Sequence, residues 1–208
     1  MTQPSANCPN CGAKITFRWS SSVQTVCEYC KSILVRTDID LQKVGQVADL
    51  PPNSSPIQIG TEGIYNHRAF VVIGRIIYQF DQGNWNEWHL VINDGSAWLS
   101  DAQSEYAVTF AADGRKLPSQ CKVGESYAWD GDSYDVTTIT KAHYSGVEGE
   151  LPFEYWGKDD AVFVDLMTTD GKFATIDYSD PKPALYLGKS VEFEDLNFKN
   201  LRKFEGWS

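Results

Sequence analysis

Long apolar runs and a secretion signal are both missing from this sequence of 208 residues. No run approaches the ~18 consecutive apolar residues that a membrane-spanning helix needs. The N-terminal residues carry neither the basic region nor the apolar region of a signal peptide. With 42% hydrophobic and 22% charged residues, the composition is that of a globular protein. We therefore expect a cytoplasmic protein without a transmembrane segment.

Positive charge is scarce, since 18 Lys and Arg residues stand against 28 Asp and Glu residues for a net charge of −10. The deficit lies in residues 45–208, whereas residues 1–44 contain five cations and three anions. An acidic surface repels the phosphate backbone of nucleic acids. We therefore do not expect the main body to bind nucleic acid, and only the N-terminal segment keeps that function as an alternative.

Four of the five cysteines form two close pairs near the N-terminus, Cys8 with Cys11 and Cys27 with Cys30. The spacing C-x2-C-x15-C-x2-C is typical of a four-thiolate zinc site. The intervening residues 15–19 alternate as in the hairpin of a zinc ribbon. Iron in a rubredoxin-like site uses the same ligands and remains an alternative, whereas disulfides need an oxidising compartment. Four thiolates leave no open coordination position, so the predicted ion is structural.

The rest of the sequence lacks sustained helical periodicity before its C-terminal end, and its short alternating runs are separated by Asp-Gly turns. Such runs predict an all-β body of hairpins and meanders. The body begins near residue 57, after a linker at 48–56 that contains three prolines and two serines. For the C-terminal residues 193–207 a short helix and a last strand are both consistent with the pattern, and we expect extended structure.

The body also repeats itself. Residues 59–80 match residues 123–144 at a shift of 64, and residues 90–95 match residues 166–171 at a shift of 76. The additional residues of the second copy fall in an acidic insertion at 146–160. Because the matched positions keep the apolar face of each strand, we interpret the two stretches as copies of one β unit.

These observations predict a mainly β protein in which a small N-terminal zinc ribbon precedes two tandem β-meander or barrel-like repeats that pack together. The second repeat includes the acidic insertion and a C-terminal extension. The predicted boundaries are 1–47 for the ribbon, 48–56 for the linker, 57–111 for the first repeat and 112–208 for the second.

The first copy carries a distinctive string of aromatic, glycine and charged residues, namely Ile59-Gly60-x-x-Gly63-x-Tyr65, Arg68-x-Phe70-x-Val72-x-Gly74-Arg75, Trp85-x-Glu87-Trp88-x-Leu90 and Asp94-Gly95-x-x-Trp98-Leu99-x-Asp101. This string resembles the bacterial family catalogued as domain of unknown function 4178. The resemblance implies a four-cysteine ribbon in front of tandem copies, no assigned activity, and genes located beside envelope-stress proteins of the phage-shock type and small membrane proteins. The second copy departs from the string, because Val164 replaces Trp88 and Ala174 replaces Trp98.

The densest cluster of candidate functional residues lies in the first copy and consists of Trp85, Glu87, Trp88, His89 and Trp98. Strand alternation predicts that Glu87 and His89 share one face and that Trp88 lies on the other. One interpretation places the tryptophans in the core beneath a solvated glutamate and histidine. The other is an aromatic groove with Glu87 and His89 at its rim, where a ligand or a protein partner docks.

The sequence contains no phosphate-binding loop, nucleophile elbow, metalloprotease helix or dinucleotide fingerprint, and it predicts no catalytic residue. We predict a non-enzymatic binding or adaptor protein with a structural zinc ribbon, to which the family resemblance adds a link to bacterial envelope stress. The expected partner is a protein, including a membrane-associated one. The alternatives are an enzyme of unassigned chemistry that uses the Trp/His/Glu groove and a nucleic-acid binder that uses the ribbon.

Overall fold

Strands dominate the fold of this chain, for which a computed structural model describes residues 4–37, 40–47, 50, 54–155 and 160–204. The strands are β1 (Ser5–Asn7), β2 (Lys14–Thr16), β3 (Gln24–Val26), β4 (Ser32–Arg36), β5 (Leu41–Gln46), β6 (Glu62–Tyr65), β7 (Arg68–Phe80), β8 (Gly83–Ile92), β9 (Gly95–Ala102), β10 (Glu105–Ala111), β11 (Ser126–Trp129), β12 (Asp132–Leu151), β13 (Ala161–Met167), β14 (Lys172–Asp177) and β15 (Ala184–Val191). A 3-10 helix covers Phe193–Leu196. The mainly β class is therefore confirmed.

Tight turns of one kind connect many of the neighbouring strands. In four hairpins both turn residues have a positive φ, as a type I′ turn requires; they are 66–67, 93–94, 103–104 and 130–131. The backbone twist of such turns matches the right-handed twist of the flanking strands. The alternating runs on either side of each turn therefore fold back on one another as antiparallel pairs.

Eight strands close into an antiparallel ring, in the order β7-β8-β9-β10-β15-β14-β13-β12 and back to β7. The closure depends on β12, which has 20 residues. Its first part pairs with β13 as far as Ala142, and its second part pairs with β7 from His143 onward. Alternate residues of every strand in this eight-strand ring point to its interior, and the others point outward.

Two meanders with the same hydrogen-bonding pattern, β6–β10 and β11–β15, each contribute their last four strands to the ring. In the first, the amide of Gly60 donates to the carbonyl of Val72 at 2.8 Å; in the second, the amide of Gly124 donates to that of Val136 at 2.9 Å. The two glycines have φ values of 87° and 86°, in the left-handed region that favours glycine. A strand irregularity follows Val72 and Val136 alike. The structure thus contains the tandem β meanders that the sequence predicted.

The pairing corrects one detail of the sequence comparison. Trp98 pairs with His89 in the first meander, and Thr175 pairs with Asp165 in the second. Thr175 is therefore the structural equivalent of Trp98, and the alignment of Ala174 with Trp98 is wrong by one residue. The physical reason is that the second hairpin has one additional residue: eight residues separate His89 from Trp98, and nine separate Asp165 from Thr175.

Two apolar cores cover the outside of the ring. Outside the first meander, the C-terminal segment packs over Trp88 and Leu90 through Leu196 and Phe198. This segment begins with the 3-10 helix, which contradicts the expected extended structure, and among its later described residues only Lys199 pairs, in an isolated bridge with Glu62. Outside the second meander, β11 and the preceding loop cover an equivalent core centred on Trp129.

The N-terminal segment joins the ring through main-chain pairing. Strands β3, β4 and β5 continue from the end of β12, where Thr25 pairs with Glu150. Val26 and Ile33 of this segment pack in the same apolar core as Trp85 of the ring. The cysteine-bearing segment and the ring therefore share one sheet and one core.

Strand structure extends into the predicted acidic insertion at 146–160, because β12 continues to Leu151. Three of its acidic residues have partners: Glu148 pairs with Arg75 at 2.8 Å, Asp160 contacts the His143 side chain, and buried Glu150 accepts a hydrogen bond from the amide of Arg18. Parts of the linker and of the insertion lie outside the described residues, namely 48–49, 51–53 and 156–159.

Candidate functional site

The four predicted metal ligands form one cluster. The Sγ atoms of Cys8, Cys11, Cys27 and Cys30 all lie within 4.8 Å of one another. The Sγ atoms of Cys8 and Cys30 are 3.7 Å apart, and so are those of Cys11 and Cys27. A tetrahedron with zinc–sulfur bonds of ~2.3 Å has sulfur–sulfur edges of ~3.8 Å. All four thiols are free, and the cluster can hold a metal ion.

Two similar turns position these cysteines. In the first turn the amide of Gly12 donates to the carbonyl of Cys8 at 2.8 Å, and in the second the amide of Lys31 donates to that of Cys27 at 2.9 Å. Gly12 and Lys31 both have a positive φ, of 74° and 57°. Cys8 and Cys27 are buried in a small core of their own. Four sulfur ligands complete a tetrahedral shell, so a metal held here has no position for a substrate.

A second candidate site is the cavity inside the eight-strand ring. Its volume is about 150 Å³, and all eight strands contribute to its lining. Eight aromatic side chains line it, namely Tyr78, Phe80, Trp85, Trp98, Phe153, Phe163, Phe173 and Tyr186. A cavity of roughly this volume accommodates a molecule the size of benzene.

The first carboxyl group of the cavity belongs to Glu87 on β8. Its Oε1 accepts hydrogen bonds from Trp85 Nε1 and from Ser100 Oγ, both at 3.0 Å. Protein surrounds this carboxyl group, and the surface it leaves accessible faces the cavity. Burial therefore raises the pKa of Glu87 to about 8, and nearby Asp165 and Asp177 act in the same direction.

Two more carboxyl groups line the other half of the cavity, Asp165 on β13 and Asp177 on β14. Burial raises the pKa of Asp165 to about 6, and a hydrogen bond with the Thr175 side chain opposes the shift. The amide of Ser179 donates to Asp177 Oδ1 at 2.7 Å. None of the described residues that line the cavity is a lysine, an arginine or a histidine.

A comparison with protein-family models decides the family. The model described as domain of unknown function (DUF4178) matches residues 58–193. The chain belongs to the DUF4178 family. The matched region of this DUF4178 protein contains the whole eight-strand ring, whereas the four cysteines precede it. No curated protein and no solved structure matches the chain.

The DUF4178 ring brings three of the five candidate groove residues together, since Trp85, Glu87 and Trp98 line the cavity. Trp88 lies on the opposite face of β8 and is completely buried in the outer core. Its Nε1 donates to Asp101 Oδ2 at 3.2 Å. The predicted separation of Glu87 from Trp88 by strand alternation agrees with this arrangement.

His89 lies at the end of the cavity that faces the cysteine-bearing segment. Its Nδ1 is 2.8 Å from the carbonyl oxygen of Glu150, and its Nε2 is 2.9 Å from Ser96 Oγ. The imidazole also packs against Trp98 and Trp19, with centroid distances of 5.2 and 5.4 Å. Burial lowers the pKa of His89 to about 4, so the side chain is neutral at pH 7.

Sequence reasoning missed Asp165 and Asp177. A usable signal was present, because Asp165 is two residues from Phe163 on one strand and so points to the same face. The same alternation places Asp177 beside Thr175.

None of the described residues belongs to a helix that could span a lipid bilayer.

Proposed function

We propose that this DUF4178 protein is a non-enzymatic binding protein, which encloses a small molecule in its eight-strand ring and carries a structural zinc ribbon at one end of that ring. The observation that carries the proposal is the interior cavity of about 150 Å³ with aromatic walls and a few convergent polar groups. This combination is the usual character of a small-molecule site in a folded protein.

Zinc is the proposed metal because its tetrahedral preference and thiolate ligands fit the four sulfur positions. When bound, it cross-links two turns of the ribbon and compensates the charge of the thiolates. The surrounding residues keep the ligands in place, since buried Cys8 and Cys27 anchor one sulfur of each pair. Iron has the same ligand preference and is the alternative for this site.

Binding fits the cavity better than catalysis that uses His89. Both imidazole nitrogens of His89 already have protein partners, so neither is available to exchange a proton with a substrate. An enzyme of unassigned chemistry would have to rely on the carboxyl groups alone. Nucleic-acid binding by the ribbon is the weaker alternative, because β3 of the ribbon is paired with the ring.

In this proposal the ribbon comprises residues 1–47, the linker 48–56 and the two repeats 57–111 and 112–208. A protein partner, in the cytoplasm or at a membrane, responds to the loaded state of the ring. The association with envelope stress that the family resemblance implies belongs to this part of the proposal.

The test of the proposed function is saturable uptake of a small molecule by the metal-loaded protein. The probes are benzylamine, benzyl alcohol and benzoate, which are similar in size and differ in charge. Isothermal titration calorimetry measures binding, and the emission of Trp85 and Trp98, which line the cavity, reports where it occurs. We expect one binding event per chain for at least one of the three probes.

A pair of matched variants locates the bound probe. Thr140 lines the cavity, whereas Ile139, its neighbour on the same strand, points outward and is 39% exposed. Thr140→Phe adds an aromatic group to the cavity and should abolish binding, whereas Ile139→Phe should leave it unchanged. Absence of binding for all three probes, or binding that survives Thr140→Phe in a folded protein, would contradict the proposed function.

A further inference from the structure

Resting on this proposed function, we infer that the ligand of the cavity is an organic cation, with an ammonium group held by the carboxyl group of Glu87 and an apolar body held by the aromatic walls. The inference names the chemical class of the ligand.

The first argument is the charge of the cavity. Glu87 and Asp165 line it, and none of the described residues that line it has a basic side chain. Burying a carboxylate is unfavourable, and burial accordingly raises the pKa of both Glu87 and Asp165. A bound cation removes this penalty, whereas a bound anion increases it.

The second argument is the chemistry of the walls. Trp85 and Trp98 face the cavity from β8 and β9, and Phe163 and Tyr186 face it from the other half of the ring. Aromatic groups attract cations through their π systems and also bury apolar surface. A ligand that has both an ammonium group and a hydrocarbon part therefore uses every kind of surface that the cavity offers.

The third argument excludes a metal ion as the occupant. Within the described part of the chain, only the four cysteines gather enough ligand atoms around one point to hold a metal. The carboxyl groups are instead distributed around the ring, with Glu87 on β8 and Asp177 on β14, four strands away in either direction. A cation whose ammonium group lies at Glu87 and whose molecular body extends across the ring fits this distribution.

The test compares benzylamine, benzyl alcohol and benzoate on the metal-loaded protein at pH 8. We expect benzylamine to bind about tenfold more tightly than benzyl alcohol, because a charge-assisted hydrogen bond adds roughly this factor. Benzoate should show no measurable binding. Glu87→Gln should weaken benzylamine binding about tenfold and leave benzyl alcohol binding unchanged, and Glu105→Gln, at an exposed carboxyl group of β10, should change neither.

The pH dependence of the unmodified protein gives a second readout that needs no variant. Because the pKa of Glu87 is about 8, benzylamine binding should strengthen as the pH rises from 6 to 8 and the carboxyl group loses its proton. Benzyl alcohol binding should stay constant over this range, because a neutral ligand gains little when the Glu87 carboxyl group ionises.

The outcomes separate the inference from the proposed function. If benzyl alcohol binds as tightly as benzylamine at every pH, the cavity is a binding site but the cationic ligand class is wrong. If benzoate binds most tightly, the cavity is again a binding site and the cationic ligand class is again wrong. If none of the three probes binds to the unmodified protein, the proposed function fails, and the inference fails with it.

Discussion

Replacement of Glu150 by alanine should release the N-terminal segment from the ring. The Glu150 carboxylate is 4% exposed and accepts three hydrogen bonds from that segment. The donors are the amide of Arg18 at 2.7 Å, the amide of Trp19 at 3.2 Å and Ser22 Oγ at 2.6 Å. No other carboxylate in the described residues accepts hydrogen bonds from two ribbon amides.

The size of the effect follows from the donors that lose their acceptor. An unsatisfied buried donor costs about 1–3 kcal/mol, and Glu150→Ala leaves two main-chain amides without a protein partner. The Arg18 side chain is exposed, so water can reach part of the vacated space. The Ser22 hydroxyl can rotate toward another acceptor. We therefore expect the free energy of unfolding to fall by about 2–3 kcal/mol.

Urea unfolding of the metal-loaded protein measures this change as a lower midpoint with an unchanged slope. Glu105→Ala is the control, because Glu105 is an exposed acid and its loss should stay within about 0.5 kcal/mol. Hydrogen exchange gives a local readout, since the amides of β3 should exchange faster in the Glu150 variant while those of β9 keep their protection. A stability loss no larger than that of the control would refute the reasoning.

Three further predictions concern the metal, the cavity acid and the outer core. Cys8→Ser should lower the metal content from one ion per chain toward zero, as measured by elemental analysis; an unchanged content would rule out Cys8 as a ligand. The free energy of unfolding of Glu87→Gln, minus that of the unmodified protein, should rise by at least about 1 kcal/mol as the pH rises from 4.5 to 8. The sign follows because the folded unmodified protein keeps the Glu87 proton that the unfolded chain releases in this range. If the free energies of unfolding of the two proteins change with pH in parallel, the prediction is wrong. Trp88→Phe should lower the free energy of unfolding by about 1–3 kcal/mol without changing benzylamine affinity, because Trp88 lies outside the ring; calorimetry and thermal melting of one preparation check both.

Local sequence patterns predicted the secondary structure and the repeat because both depend on short-range chemistry. The Gly60 and Gly124 positions need a positive φ in both copies, so the same residue occurs at a shift of 64. Likewise, two pairs of cysteines with fixed spacing are sufficient to form a cluster once each pair occupies a tight turn. In both cases a particular backbone geometry needs a particular residue type, so the sequence predicts the local structure.

Ring closure could not be predicted in this way. It depends on a single strand, β12, that pairs with β13 in one half and with β7 in the other. Nothing in the alternation of residues 132–151 indicates where the partner changes, since a strand in either arrangement has the same period. The cavity depends on this closure, so its three carboxyl groups could not be brought together from the sequence.

Burial of the candidate tryptophans was also ambiguous in the sequence. A large aromatic residue on an alternating strand fits a core and an accessible groove equally well, because both faces of β8 contain tryptophan. The structure distinguishes the two cases, because Trp85 points into the ring and Trp88 points away from it. Trp88 packs beneath the C-terminal segment, a contact between residues more than one hundred positions apart.

The two halves of the ring are alike in their backbone and unlike in the side chains that they turn inward. The cross-strand pair of Glu87 and Ser100 in the first half corresponds to the pair of Phe163 and Asp177 in the second. A cavity with true two-fold symmetry would accept an unsymmetrical guest in two opposed orientations with equal affinity. Here rotation about the pseudo-axis exchanges an acid for an aromatic group, so the two orientations differ in energy. The cavity therefore has two chemically different ends, and it can distinguish the head of a guest from its tail.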